Sequence, residues 1–240
     1  MNDTDVLTEF LKMPLGSTDE VFKKFAAIPK AIDRGNSLKQ FLFVKGKRKD
    51  RVLLVAHADT VWDRHYEEHN TDEPKEITHT DGIIRNINGG LGADDRAGCA
   101  IVWLLKDMGH SILITNGEEH GRCGSTWLMD ENRDIADEIN SNHQFVVQFD
   151  RRNSRDFKCY KVGTDEFRAY VEANTGYSEP DPLFYTDIVT LCRDITGVNL
   201  SIGYYKEHTK KEYLSIKDWQ NTLALCRRWL SEKKLPKFRR

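Results

Sequence analysis

Acidic and histidine side chains recur in this chain at the ends of apolar, strand-like runs. His57 and Asp59 close RVLLVAHADT, Asp94 and Asp95 sit in GGLGADDRAG, and Glu118 and Glu119 follow SILITNG. Asp150 closes FVVQFD, and His208 follows NLSIGYYKE. A hydrophobic core has no use for so many charges, because each buried one must be paired or neutralised. Two divalent cations held among these groups would supply that compensation. The pattern reads as a co-catalytic metal site on an α/β scaffold.

The spacing fits that chemistry. On one continuous strand, His57 and Asp59 would share a face. A carboxylate there can take the second imidazole N–H, fix the tautomer and make the ring a better metal ligand. GADDRAG is a glycine-flanked turn, and an Asp in it could offer its two oxygens to two different ions. Glu118 and Glu119 are adjacent, so their side chains diverge; that suits one task on metal and another on a proton.

The elements that must position these groups can be read from the apolar pattern. Residues 5–12 and 18–28 read as short helices, the second with Ser17 or Thr18 as N-cap and Phe22, Phe25 and Ala26 on one face. Lys39 to Lys45 and Arg51 to Ala56 read as strands, and the polar GKRKD between them predicts a hairpin. Gly98 to Met108 reads as a helix; Ser111 to Thr115, Phe145 to Phe149 and residues 198–204 read as strands. Ile216, Trp219, Leu223, Cys226 and Leu230 recur at helical spacing and predict an amphipathic closing helix. Strands alternating with helices imply a largely parallel sheet covered on both faces, a three-layer α/β/α sandwich with ligands beyond the carboxyl ends of the strands. Residues 63–82 read as a polar surface loop bordering the cleft.

Composition narrows the partners. At 240 residues the chain suffices for one sizeable domain, and we expect a single catalytic domain over 1–240. A net charge of -2 argues against a general nucleic-acid or membrane-surface binder. No apolar run approaches the ~20 residues that span a bilayer, and MNDTDVLTEFLK lacks the features of a signal peptide. The five cysteines form no CxxC pair, which points away from thiolate zinc and disulfide frameworks and towards a cytoplasmic setting.

The ordered set HAD (57–59), GADD (92–95), EE (118–119), Asp150 and His208 resembles the di-zinc exopeptidase superfamily. That superfamily includes aminopeptidase T, the desuccinylases and related carboxypeptidases, and the bacterial leucyl aminopeptidases. Each motif alone is weak, but all five in order, spread over about residues 52–214, are specific. The resemblance implies the phosphorylase/hydrolase-like zinc peptidase fold and two zinc ions, with cobalt or manganese as possible substitutes. It implies that Asp94 bridges both ions, that His57 and Asp150 complete one site, and that Glu119 and His208 complete the other. Glu118 would be the general base, Asp59 the partner of His57, and a non-proline cis peptide would join Asp94 to Asp95. The gaps between motifs leave no room for the inserted lid or dimerisation domain of many relatives. The implied form is therefore lid-less, a monomer or weak homodimer. Arg151, Tyr204 and Tyr205 are then candidates for contacts that relatives recruit from a lid.

The remaining polar residues have plainer readings. His65, His69, His79, His110, His120 and His143 are expected at the surface, with His120 alone near the cleft. Asp95 and Arg96 are expected to make structural contacts at a helix start, Thr186 and Asp187 to cap a helix rather than approach substrate, and Cys123 to fill buried space. The tail KKLPKFRR is expected to be frayed and solvated. Functionally, the residues point to hydrolysis of a peptide or amide bond by an aminopeptidase-like exopeptidase on short peptides. The alternatives are an amidohydrolase of N-acylated amino acids and a catalytically silent binding module on the same fold.

Overall fold

The computed structural model describes residues 2–62, 75–180 and 186–240. In chain order it contains α1 (Asp3–Lys12), α2 (Asp19–Ala26), β1 (Ile32–Asn36), β2 (Lys39–Val44), β3 (Leu53–His57), β4 (Ile77–Thr80) and β5 (Ile83–Asn86). There follow α3 (Ala93–Leu105), β6 (Ser111–Thr115), α4 (Cys123–Glu131), α5 (Arg133–Asn142), β7 (Val146–Arg151), β8 (Phe157–Lys158) and α6 (Asp165–Thr175). The last elements are α7 (Asp187–Leu191), β9 (Gly197–Ser201), β10 (Tyr204–Tyr205), β11 (Tyr213–Ser215) and α8 (Ile216–Leu230).

A seven-stranded sheet in the order β1-β2-β6-β3-β7-β9-β8 forms the middle layer. Its centre, β6-β3-β7-β9, is parallel, and at the edges the β1–β2, β2–β6 and β8–β9 pairings are antiparallel. Every residue of β3 and β6 is buried, as expected where helices cover both faces of a parallel strand. Alternate β3 side chains serve opposite faces. Leu54 and Ala56 join a core with α1, α2, α3, α6 and α8, whereas Leu53 and Val55 join one with α4, α5 and α7. The expected α/β/α sandwich with a mixed, mostly parallel sheet is therefore present.

Several local expectations need correction. GKRKD does not close a hairpin, because β6 lies between β2 and β3 and pairs with both. SILIT, buried at every residue, is better placed between two strands than at an edge, and the five residues of GKRKD easily step over one strand. Residues 63–74 of the expected surface loop lie outside the described residues. Residues 77–86 instead form the β4–β5 hairpin, turned by Asp81 and Gly82 at φ 52° and 75°, the conformation favoured by Asp-Gly. The basic tail is docked: Leu235 and Phe238 are buried, and Phe238 packs on Phe145, Phe167 and Tyr170.

His110 and His143 are buried rather than exposed. His110 Nδ1 accepts from the Val52 N–H at 3.2 Å, and its Nε2 donates to Leu230 O at 3.0 Å. His143 Nδ1 faces the Glu138 and Ile139 carbonyls at 3.1 Å each, and its Nε2 lies 2.7 Å from Ser111 Oγ. Such saturated rings can be buried neutral. His79 is exposed as expected, and His65 and His69 lie outside the described residues.

A second sheet, β10-β11-β5-β4, is antiparallel throughout. Its β10–β11 loop, residues 206–212, carries His208. Among the described residues, no helix is long and apolar enough to cross a membrane.

Candidate metal centre

Four segments converge beyond the carboxyl ends of the parallel strands: the end of β3, the turn into α3, the residues after β6 and the end of β7. The β10–β11 loop adds a fifth from the second sheet. His57, the last residue of β3, is fully buried. Its Nδ1 lies 3.1 Å from the Asp59 carbonyl oxygen and 3.4 Å from Asp59 Oδ1. A proton on Nδ1 suits both, and Nε2 faces Asp94 Oδ1 at 3.2 Å and Asp150 Oδ1 at 3.6 Å, where its lone pair would be the one offered to a cation.

Asp94 is the hinge of the geometry. Its Oδ1 faces His57, and its Oδ2 lies 3.1 Å from His208 Nε2. That same His208 nitrogen lies 3.0 Å from Glu119 Oε1, which is buried and accepts no hydrogen bond. The donors thus fall into two groups that share one carboxylate: His57, Asp150 and Asp94 Oδ1 on one side, Glu119, His208 and Asp94 Oδ2 on the other. Among the described residues, ligand atoms of His57, Asp94 and Glu119 lie within 4.8 Å of one another.

The backbone explains how Asp94 reaches both groups. Asp94 and Asp95 have non-helical dihedrals at the head of α3, and the peptide bond between them is cis. Asp95 accepts from the His57 N–H at 3.1 Å and the Gly98 N–H at 3.0 Å, tying the helix start to the strand end. A Cβ at residue 98 would sit 2.1 Å from Asp95 Oδ1 and from Phe149 O, so only glycine permits this approach of α3 to β7. Arg96 is buried and donates to the carbonyls of Ala58, Pro14 and Ser17. The structural roles expected for Asp95 and Arg96 are thus observed.

Asp150 is held from several directions. Its Oδ2 accepts from Gln148 Nε2 at 2.9 Å and Thr186 Oγ1 at 2.6 Å, and its Oδ1 accepts from the Tyr204 hydroxyl at 3.3 Å. Thr186 stands at the N-cap of α7 but spends its hydroxyl on Asp150, so the expected capping bond is absent. Asp187 is likewise turned inward, accepting from the hydroxyls of Thr115 and Ser125. Its pKa is pushed up to about 6 by burial.

Of the candidate substrate residues, Arg151 and Tyr204 line a cavity of about 360 Å³ with Asp94, Glu118, Glu119, Asp150 and His208. The Arg151 guanidinium is already paired with Asp156, two contacts at 3.1 Å. Tyr205 does not line this cavity; it stacks on Tyr213 at 5.0 Å and donates to Asp218. Neighbouring strand residues point to opposite faces, so only one of the two tyrosines can look into the cleft. His120 is half-buried and does not line the cavity. Cys123 is also half-buried, donating through Sγ to His120 O at 3.0 Å.

The electrostatics are those of anions awaiting a cation. Burial works against a charge on His57, but Asp150, Asp59 and Asp94 overcome it and hold its pKa well above the ordinary value. Burial likewise opposes a charge on His208, yet Asp94 and Glu119 raise it to about 11. Burial and the Asp94 charge push Glu119 up to about 7. Burial and the Asp150 charge push Glu118 well above the usual range. Carboxylates and imidazoles with no thiolate among them are the donor set of a zinc-type centre, and the buried Glu119 Oε1, which among the described residues meets only the His208 ring at 3.0 Å, has a lone pair left for a cation.

One task of an expected residue, and one residue missed by sequence reading, organise the centre. Asp59 accepts from the backbone N–H groups of both Glu118 (3.2 Å) and Glu119 (3.0 Å), so it positions that pair as well as His57. Glu212 is fully buried and accepts from the N–H groups of Leu91, Gly92 and Asp94 at 3.0, 2.7 and 3.1 Å. It lies four residues after His208, and so ties the loop bearing one donor to the turn bearing the shared one. A charged residue inside a short loop between strand-like runs was the available signal.

No protein-family profile matches the sequence. No curated protein matches it. Solved structures do. The fold is similar to aminopeptidase PepT from Bacillus cereus ATCC 10987, at 14% identity and TM-score 0.67, over 96% of this chain and 98% of that one. It is also similar to the TET1 peptidase of Pyrococcus horikoshii, which can assemble into a tetrahedron or a large octahedral shell (13% identity, TM-score 0.62, 93% and 98% coverage). A Thermotoga maritima structure described as an endoglucanase matches at 12% identity and TM-score 0.55, over 91% and 94%. At such identities the likeness shows a peptidase-like α/β fold, and the chemistry must be argued from the site.

Proposed function

We propose that this chain is a metal-dependent hydrolase of peptide or amide bonds, acting as an aminopeptidase-like exopeptidase on short peptides. The observation that carries the reading is Asp94, whose two oxygens face two separate sets of donors. His57, Asp94 and Asp150 would hold one divalent cation, and Asp94, Glu119 and His208 a second. Zinc suits these nitrogen and oxygen donors, with cobalt or manganese as substitutes. Such a pair, when bound, supplies Lewis acidity to the attacking water and to the scissile carbonyl.

The chain's own residues do the rest. Glu118 borders the cavity without being needed in either donor set. Its carboxylate takes the proton from the attacking water and delivers it to the leaving amine. Asp59 keeps the His57 tautomer and holds the backbone of Glu118 and Glu119 in place. Thr186, Gln148 and Tyr204 orient Asp150. The catalytic unit is one domain spanning 1–240, without an inserted lid. The five unpaired cysteines, four of them buried, fit a reducing, cytoplasmic compartment.

The test is hydrolysis by zinc-loaded protein of free-amine dipeptides and tripeptides, N-acetylated amino acids and amine-blocked peptides. Cleavage confined to the free-amine peptides, and abolished by chelation, is the expected result. Cleavage of the acetylated amino acids alone would overturn the exopeptidase assignment.

A further inference from the structure

The β10–β11 loop has two faces. Glu207 and His208 look into the metal-centre cavity. Lys206, Lys210 and Lys211 instead border a second hollow of about 370 Å³, together with Arg85 and Asn86 of β5, Ile87 and Tyr213. The two hollows are therefore neighbours across a strip of chain two or three residues wide, at most ~10 Å at the reach of extended backbone.

The cations of the two hollows differ in what they are already doing. In the first, Arg151 is paired with Asp156, and Arg152 with Glu207 at 2.7 Å. In the second, none of Arg85, Lys206, Lys210 and Lys211 is within ion-pairing distance of a carboxylate among the described residues. Arg85 lies over the Tyr213 ring at 5.1 Å, which fixes it without neutralising it. Glu212 also lines this hollow, but its carboxylate is turned inward to the Leu91, Gly92 and Asp94 amides. Four unneutralised cations in one hollow stand against a chain whose net charge is -2. Ile87, 58% exposed, is the large hydrophobic side chain left bare beside them.

We infer that this hollow binds the carboxylate-bearing part of a peptide whose scissile bond lies at the acidic centre next door. The proposal rests on the peptidase reading and extends it to substrate class: short peptides with a free C-terminal carboxylate, favoured further by an acidic residue there. Ile87 and the Tyr213 ring give the intervening side chain an apolar surface. The two bound cations would offset the carboxylates of the cleft, so the basic hollow is the feature that draws the carboxylate end and orients the peptide before any specific contact forms.

The test uses zinc-loaded Glu118→Gln protein, in which a bound peptide should survive, and isothermal calorimetry with two probes. These are Ala-Ala-Glu and its neutral counterpart, Ala-Ala-Gln carboxamide. We expect Ala-Ala-Glu to bind at least ~10-fold more tightly, with an advantage that shrinks as salt rises. Adding Lys206→Gln, Lys210→Gln and Lys211→Gln should abolish that advantage; these side chains are exposed, and circular dichroism checks the fold. Equal Kd values for the two peptides would overturn the inference, as would a preference that survives the triple substitution. Lysine-dependent binding of a peptide that wild-type protein never cleaves would instead refute the peptidase reading alone. Cleavage without charge preference would refute only the hollow's role.

Discussion

The two halves of the candidate metal centre are built by different means. His57 and Asp150 stand at the ends of parallel strands β3 and β7, with side-chain exposures of 1% and 9%. Glu119 and His208 come from loops; the His208 side chain is 47% exposed, and its backbone sits at φ 62°, a region that non-glycine residues seldom occupy. Asp94 belongs to both halves. One half is thus fixed by the sheet, while the other depends on an added hairpin held by Glu212. Rigid strand ends give precise placement, and a loop gives a donor that solvent and substrate can reach.

The largest expected effect lies between the halves. Glu118→Gln should lower kcat by about 10³-fold, the usual scale for a lost general base, with two metal ions per chain still found by mass spectrometry. Turnover close to wild type would remove Glu118 from its role. Next come the donors themselves. His57→Ala should lose one cation and about 2–4 kcal/mol of stability, since it opens a buried, hydrogen-bonded site. His208→Ala should lose one cation with a smaller stability cost than His57→Ala, because its side chain is 47% exposed. Equal stability costs in urea titrations would contradict the contrast between sheet-built and loop-built halves.

That contrast also explains what could be read from the sequence. The donors after apolar runs were legible because strands in a parallel sheet are long, wholly apolar and end where ligands bind. HAD and Asp150 occupy such ends and EE follows one, whereas GADD was legible as a glycine-flanked turn. His208 was legible only as the last member of an ordered series. The sheet that carries it was missed, although Asp81-Gly82 between ITHT and IIRN is a hairpin signal. The β10 and β11 strands are only two and three residues long, too short for periodicity to register. Asp59 bonding to Glu118 and Glu119, Thr186 bonding to Asp150, and Glu212 bonding to the turn at Asp94 depend on contacts between distant segments, which no local pattern encodes. His110 and His143 misled for a related reason: polar neighbours in sequence do not reveal that both ring nitrogens find partners inside.

Glu212 sharpens the comparison at a smaller scale. Glu212→Gln places an amide N–H₂ where a carboxylate oxygen accepted a backbone N–H, so the Asp94 turn should loosen. Calorimetric zinc affinity should fall about 10–100-fold, as for other residues that orient ligands, with the helical circular dichroism signal unchanged. Unaltered affinity would mean that the loop-built half does not depend on this tie.

The smallest expected effect lies away from the centre. His110 and His143 have pKa values lowered to about 4, first by burial, so both are neutral when folded. Unfolded histidine takes its proton near pH 6.5, so between pH 6.5 and 4 the unfolded chain binds more protons. Stability contributed by the two rings is therefore fully present above pH 6.5 and is lost as pH falls towards 4, by about 3 kcal/mol each. His143→Gln should flatten the dependence of urea stability on pH in that window by about one proton. An unchanged slope would mean that His143 is charged in the folded protein.

The central claim is that one carboxylate is shared between two cations. Crystals of zinc-loaded protein measured at the zinc absorption edge should show two anomalous peaks about 3.5–4 Å apart, one on each side of Asp94. A single peak, or peaks away from Asp94, would contradict the account.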